Sequence, residues 1–138
     1  MVSQTILYAE DSADDVFIFN LAFKRAALSH HLYNVDDGQQ AIECFQGVNR
    51  FANRDQYPLP QILLTDIKMP RKNGFELLKW VRSQEAFAKI PVVVLSSSDE
   101  PRDVKQAYEL GATAYFVKTP QFQDVILFLR AITLPSPK

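Results

Sequence analysis

Two short apolar runs constrain this chain more than any other feature: Ile62-Leu63-Leu64 within Gln61–Thr65, and Val92-Val93-Val94-Leu95 after Pro91. Each is too short for a buried helix, lacks polar interruptions and is bounded by proline or polar residues, so each reads as a strand. A strand without alternation is apolar on both faces, and both faces then have to be covered. In a chain of 138 residues helices packed on either side of a parallel sheet meet that demand.

The remainder of the sequence supplies the covering. Thr5–Ala9 is a β-rich run, and Asp14 to Leu28 repeats apolar residues at Val16, Phe19, Ala22, Phe23 and Ala26, a helical spacing. Leu32 to Val35 reads as a second strand. Gly38 turns the chain into a helix over Gln39 to Phe51 with Ala41, Ile42, Phe45 and Val48 on one face, and Asn53 to Pro60 reads as loop. After the Gln61–Thr65 strand, Asn73 is placed to cap a helix through Phe75, Leu78 and Val81. Pro101 suits the first turn of a helix over Arg102 to Leu110 that Gly111 ends. Ala114 to Val117 is a fifth strand and Phe122 to Ile132 a last helix. Strands thus alternate with helices throughout, which predicts a doubly wound α/β fold in one domain spanning 1–138, with a short C-terminal tail at 133–138.

Composition narrows the function. Hydrophobic residues at 47% and charged residues at 22% exclude a disordered or coiled-coil chain. Fifteen basic and sixteen acidic side chains leave a net charge of −1, so no overall field draws in nucleic acid or anionic lipid. No stretch approaches the ~20 apolar residues of a membrane span. Cys44 is the single cysteine, and Met1 to Thr5 lacks a secretory pattern, so a cytoplasmic location is expected.

In open parallel sheets the site lies beyond the carboxyl ends of the strands. Strand one ends at Glu10 and Asp11, strand three at Asp66, strand four at Ser96 and strand five at Lys118. Three carboxylates at one edge repel each other unless a cation compensates them, and hard oxygen donors around an open position favour Mg²⁺. With a lysine and a hydroxyl nearby, such a site suits a phosphoryl group, and the central carboxylate can itself be the nucleophile. Taken singly, each residue has an ordinary role: Glu10 and Asp11 favour a helix N-terminus, Lys118 is a surface lysine, and Ser96 makes a turn as Ser97 or Ser98 equally would. Their convergence is what points to chemistry. His30 and His31 read as a polar connection, and Cys44 as a small core residue. Tyr115, Phe116 and Phe122 are explained by packing.

At these residues the sequence resembles the receiver domain of two-component response regulators. The resemblance rests on Glu10-Asp11, VDDGQQAI around Gly38, LLTDIKMPRKNGFELL around Asp66, PVVVLSSS and GATAYFVK, and runs from about Ile6 to Ile132. It implies a flavodoxin-like (βα)5 fold with strand order 2-1-3-4-5. It implies Asp66 as phosphoacceptor from a histidine kinase, with Mg²⁺ held by Asp11, Asp66 and the backbone carbonyl of Lys68, and by Glu10 through water. Ser96 and Lys118 would contact phosphoryl oxygens, and Tyr115 would be the switch aromatic that moves when Ser96 does. Arg102 to Ile132 would then be the output face, for a downstream protein target, a phosphotransfer protein or a second copy of the chain. The long Asn49 to Pro60 connection, and the chain's end at Pro135 to Lys138 without room for a DNA-binding domain, most resemble the single-domain regulators paired with bacterial phytochromes.

The sequence departs from the family in placing Thr119 between Lys118 and Pro120, so a trans Lys118–Thr119 bond or a displaced loop is expected. An aspartate-nucleophile phosphohydrolase needs a second acid two residues on, where this chain has Lys68. Gly38, Gly47, Gly74 and Gly111 form no phosphate-cradling loop. A receiver-like interaction module that works without phosphorylation is the remaining alternative. It is disfavoured because every acid and the lysine are present.

Overall fold

The computed structural model describes residues 4–28 and 30–132; the tail expected at 133–138 lies outside them. The elements are β1 (Thr5–Ala9), α1 (Ala13–Arg25), β2 (His31–Val35), α2 (Gly38–Gln46), β3 (Ile62–Thr65), α3 (Gly74–Ser83), β4 (Val92–Ser96), α4 (Pro101–Glu109), β5 (Ala114–Val117) and α5 (Gln123–Ile132). The strands form one parallel sheet in the order β2-β1-β3-β4-β5, as the resemblance implied. Among the described residues no helix is long and apolar enough to cross a membrane.

Side chains alternate across each strand, so each strand feeds two cores. Ile6, Tyr8, Ile62, Leu64, Val93 and Leu95 meet Phe19 and Phe23 of α1 and Val125, Ile126 and Leu129 of α5. Leu7, Ala9, Leu63 and Val92 meet Ala41, Ile42 and Phe45 of α2 and Leu77, Leu78 and Val81 of α3. Ala107 of α4 packs with Ile67 and Val94 in a smaller cluster. Burial on both faces explains why β3 and β4 carry unbroken apolar runs.

Several boundaries differ from the sequence reading. The helix expected over Gln39 to Phe51 is α2, ending at Gln46, because Gly47 takes the left-handed conformation (φ 69) and returns its N–H to Glu43 and Cys44. Arg54 then donates to the carbonyls of Cys44 and Phe45 at 2.8 and 3.0 Å, closing the helix end. Asn49–Phe51 follows as a separate 3₁₀ turn that still buries Phe51. Gly38 opens α2 instead of turning the chain ahead of it. The first helix ends at Arg25 and not Leu28, with Ala27 at φ 55. Phe122 likewise sits at φ 54, one residue before α5, with its ring edge-on to Phe19 at 5.3 Å.

Asn73 caps α3 as expected, in a reciprocal capping box with Glu76 at 2.9 and 3.0 Å. Gly74, the first helical residue, sits so tightly against the chain at Asp66 that an added Cβ would collide with the Asp66 carbonyl. Its own N–H donates to Ile67 at 2.8 Å. The end of β3 and the start of α3 are thus one packed unit. Gly74→Ala is expected to lower the unfolding free energy in urea by about 1–3 kcal/mol through overpacking. Asn73→Ala should cost about 1 kcal/mol, the ordinary loss of a cap, and a smaller loss at Gly74 than at Asn73 would contradict the packing account.

His30 is half-buried, and its Nδ1 accepts the N–H of Gln4 at 2.9 Å. Burial holds its pKa below the usual histidine value. A depressed folded-state pKa means that the contribution is present above the unfolded value and is lost as pH falls through the folded one. The His30 contribution to the urea midpoint, read as the difference between wild type and His30→Asn, which keeps an acceptor that does not titrate, should therefore decline between about pH 7 and pH 5, whatever the opposite trend that Glu10 adds to both chains.

Candidate functional site

The strand ends converge on one edge of the sheet, as their sequence positions predicted. The amide of Glu10 donates to the Val35 carbonyl at 3.0 Å, that of Asp66 to Ala9 at 3.0 Å and that of Lys118 to Ser96 at 2.7 Å. Each bond carries the sheet's pairing one residue past the strand and so fixes where the polar side chain begins. Glu10 and Asp66 are buried, Asp11 is exposed, and single oxygens of the three lie within 4.8 Å of one another.

The Lys118 ammonium stands among carboxylates: Glu10 Oε1 at 2.7 Å, Asp15 Oδ2 at 2.6 Å and Asp66 Oδ2 at 3.0 Å. The other Asp66 oxygen accepts the Ile67 amide at 2.7 Å, and Glu10 Oε2 accepts the Ser12 amide at 3.1 Å. Burial and the neighbouring Asp66 charge push the Glu10 pKa up to about 7, against the opposing pull of Lys118 and the Ser12 amide. For Lys118, burial works against the charged form, but hydrogen bonds to Asp15 and Glu10 and the charge of Asp66 win, raising its pKa above the usual lysine value. The lysine is thus held protonated.

Asp15 was not foreseen. Its position three residues after the N-cap Ser12 has the sequence form of a capping box, and Ser12 Oγ does accept the Asp15 amide at 3.3 Å. The reciprocal half is missing because the Ser12 amide is taken by Glu10, which leaves the Asp15 carboxylate for Lys118. The signal in the sequence was the position: Asp15 lies in the first turn of α1, immediately after the strand end that carries Glu10 and Asp11.

Of the three serines, Ser96 ends β4 and is buried, its Oγ accepting the Ser98 amide at 3.1 Å. Ser97 is exposed, and Ser98 donates to Asp103 at 2.6 Å. Tyr115 is half-buried; its hydroxyl donates to the Ser98 carbonyl at 2.8 Å, and its amide donates to the Tyr108 hydroxyl at 3.1 Å. Asp11, Lys68, Met69, Asn73, Phe75 and Asp103 line an open groove of about 690 Å³ beside the acids. No cis peptide bond occurs among the described residues, so Lys118–Thr119 is trans. Cys44 is buried with its sulfur 2.8 Å from the Tyr33 hydroxyl, and burial raises its thiol pKa. Neither it nor the histidines reach the site.

Three carboxylate oxygens this close, on hard donors beside an open groove, fit a divalent cation with oxygen preference. The comparisons agree with that geometry. Residues 6–130 match the family model of the response regulator receiver domain. The chain belongs to the response regulator receiver family. It is 30% identical to response regulator Rcp1 of Synechocystis, over 96% of this chain and 94% of Rcp1. The bacteriophytochrome response regulator RtBRR superposes with a TM-score of 0.84 at 34% identity, covering 99% of this chain and 82% of RtBRR. The Mn²⁺-bound form of Rcp1 does so with a TM-score of 0.80 at 28% identity, covering 98% and 99%. The likeness to phytochrome-paired regulators expected from the sequence is therefore borne out.

In this receiver the ammonium of Lys118 and a divalent cation would compensate the same carboxylates. Lys118→Met is expected to tighten Mg²⁺ binding to the purified chain by about tenfold, since a competing positive charge a few ångströms away is removed. Titration calorimetry measures it; an unchanged or weaker affinity would mean that Lys118 lies outside the charge balance of the cation site.

Proposed function

We propose that the chain receives a phosphoryl group on Asp66 from a sensor histidine kinase of the phytochrome type and signals through protein contacts. The observation that carries this reading is the Lys118 ammonium 3.0 Å from the buried carboxylate of Asp66, with Glu10 and Asp11 alongside. Asp11 and Asp66, with the backbone carbonyl of Lys68, would hold Mg²⁺, and Glu10 would act through water. A bound Mg²⁺ supplies charge neutralisation on the phosphoryl oxygens.

The residues divide the work. An Asp66 oxygen attacks phosphorus, the P–N bond of the kinase phosphohistidine breaks with its electron pair left on the imidazole, and an O–P bond gives the acyl phosphate. Lys118 exchanges the Asp66 oxygen for a phosphoryl oxygen while Glu10 and Asp15 keep it in place. The Ser96 hydroxyl donates to another phosphoryl oxygen. That movement alters the segment Ser96–Ser98 to which Tyr115 is bonded, and Tyr115 relays it to α4, β5 and α5. A downstream target, a phosphotransfer protein or a second copy would bind the face between Arg102 and Ile132. Such a receiver is no enzyme in the usual sense; it catalyses only its own phosphorylation and dephosphorylation. A cytoplasmic place follows from a cytoplasmic kinase domain as donor.

Relatives named as phytochrome response regulators support the kinase class. The phosphorylation-independent module is disfavoured by the same contacts, because such a module has no need of a lysine paired with three acids. Intact-mass measurement after incubation with Mg²⁺ and acetyl phosphate should show a gain of about 80 Da. Asp66→Asn and a chelator should each abolish it. Absence of the adduct with both acetyl phosphate and a phosphorylated phytochrome-type kinase would favour the interaction module.

A further inference from the structure

One ion pair beside the site has no part in the chemistry above. Asp37 follows β2 and caps α2, its Oδ1 accepting the Gln40 amide at 2.8 Å, and its side chain is only 7% exposed. The same carboxylate receives Arg71 through two bonds, Nε to Oδ2 at 2.8 Å and Nη2 to Oδ1 at 3.2 Å. Arg71 lies in the connection between β3 and α3, with its backbone at φ 65. The next residue, Lys72, gives its carbonyl to the Gly38 amide at 2.9 Å. Two adjacent residues of this connection are therefore tied to two adjacent residues at the start of α2.

The connection is also closed on itself. Lys72 donates its amide to the Pro70 carbonyl at 2.8 Å, and Gly74 donates to Ile67 at 2.8 Å. Lys68 stands between these ties, on the groove it shares with Asp11. Arg71 is half exposed, so the pair adds little to global stability. What two bonds from a planar guanidinium add is orientation. A non-glycine residue in the left-handed region persists where its surroundings determine it, and here the Asp37 carboxylate does so.

We propose that Asp37 and Arg71 are positioning residues for the divalent cation: their pairing fixes the β3–α3 connection so that the Lys68 carbonyl stays within reach of an ion held by Asp11 and Asp66. The inference rests on the cation site proposed above. It carries a sign that separates it from simple electrostatics. Removing the positive Arg71 would by charge alone strengthen cation binding, whereas loss of the clamp weakens it.

The test is Mn²⁺ binding to the full chain, followed by loss of the free-ion electron paramagnetic resonance signal. Arg71→Ala is expected to weaken binding by about tenfold, with Arg71→Lys recovering part of the loss. Asp37→Asn, which keeps a competent helix cap, should weaken binding similarly. The metal-free urea midpoint should stay near wild type in both Asp37→Asn and Arg71→Lys, so a folding defect in Arg71→Ala alone leaves the comparison intact. Unchanged or tighter binding in Arg71→Ala, with loss of binding in Asp66→Asn, overturns the clamp and leaves the cation site standing. A wild-type chain that binds no Mn²⁺, or binds it equally after Asp66→Asn, overturns both.

Discussion

A parallel sheet buried on both faces leaves no lateral position for an unpaired charge. Along β1, β3 and β4 every side chain is buried, and each position is filled by an apolar or aromatic group or a small hydroxyl. Polar chemistry is thereby displaced to where the strands stop. The parallel arrangement adds the second constraint, since all the strands stop at the same edge in the same sense. Glu10, Asp66, Ser96 and Lys118 are neighbours for this reason, although they are far apart in the chain.

Bringing them together creates an electrostatic problem that the structure answers locally. Glu10 and Asp66 are almost without solvent, and a lone ionised carboxylate in such surroundings would be driven to take up a proton. Backbone amides from Ile67 and Ser12 and the ammonium of Lys118 share the compensation. Lys118 is itself desolvated, and the carboxylates keep it charged, while burial and the Asp66 charge hold the Glu10 pKa up at about 7, so the charge on Lys118 and on Glu10 is set by their neighbours. Such a set responds as a unit when one member changes its charge.

The strand ends were legible because two signals coincided: an apolar run names the strand, and the first polar residue after it names the edge. The same logic recovered the cap at Asn73 and the proline at the start of α4. What was not legible turned on tertiary partners. Gly47 as the end of α2 depends on Arg54, several residues later, closing the helix carbonyls. Asp15 looked like half of a capping box until the Ser12 amide found Glu10. Asp37 and Arg71 stand far apart in sequence, and no spacing rule joins them. The role of Gly74 is likewise set by the carbonyl lying against it, which only the folded chain reveals.

Asp66 lies between two regions of different stiffness. On the α3 side, Gly74 packs directly on the backbone of Asp66 and Ile67 just past β3, with no side chain between them to rearrange. On the β5 side, Ser96, Ser98, Asp103, Tyr108 and Tyr115 are joined by single hydrogen bonds, two donated by hydroxyl groups and two accepted by them. A load applied at Asp66 meets a wall in one direction and a set of exchangeable links in the other. Under the proposed function, a phosphoryl group on that carboxylate would press toward α4 and β5, because that is where yielding costs least.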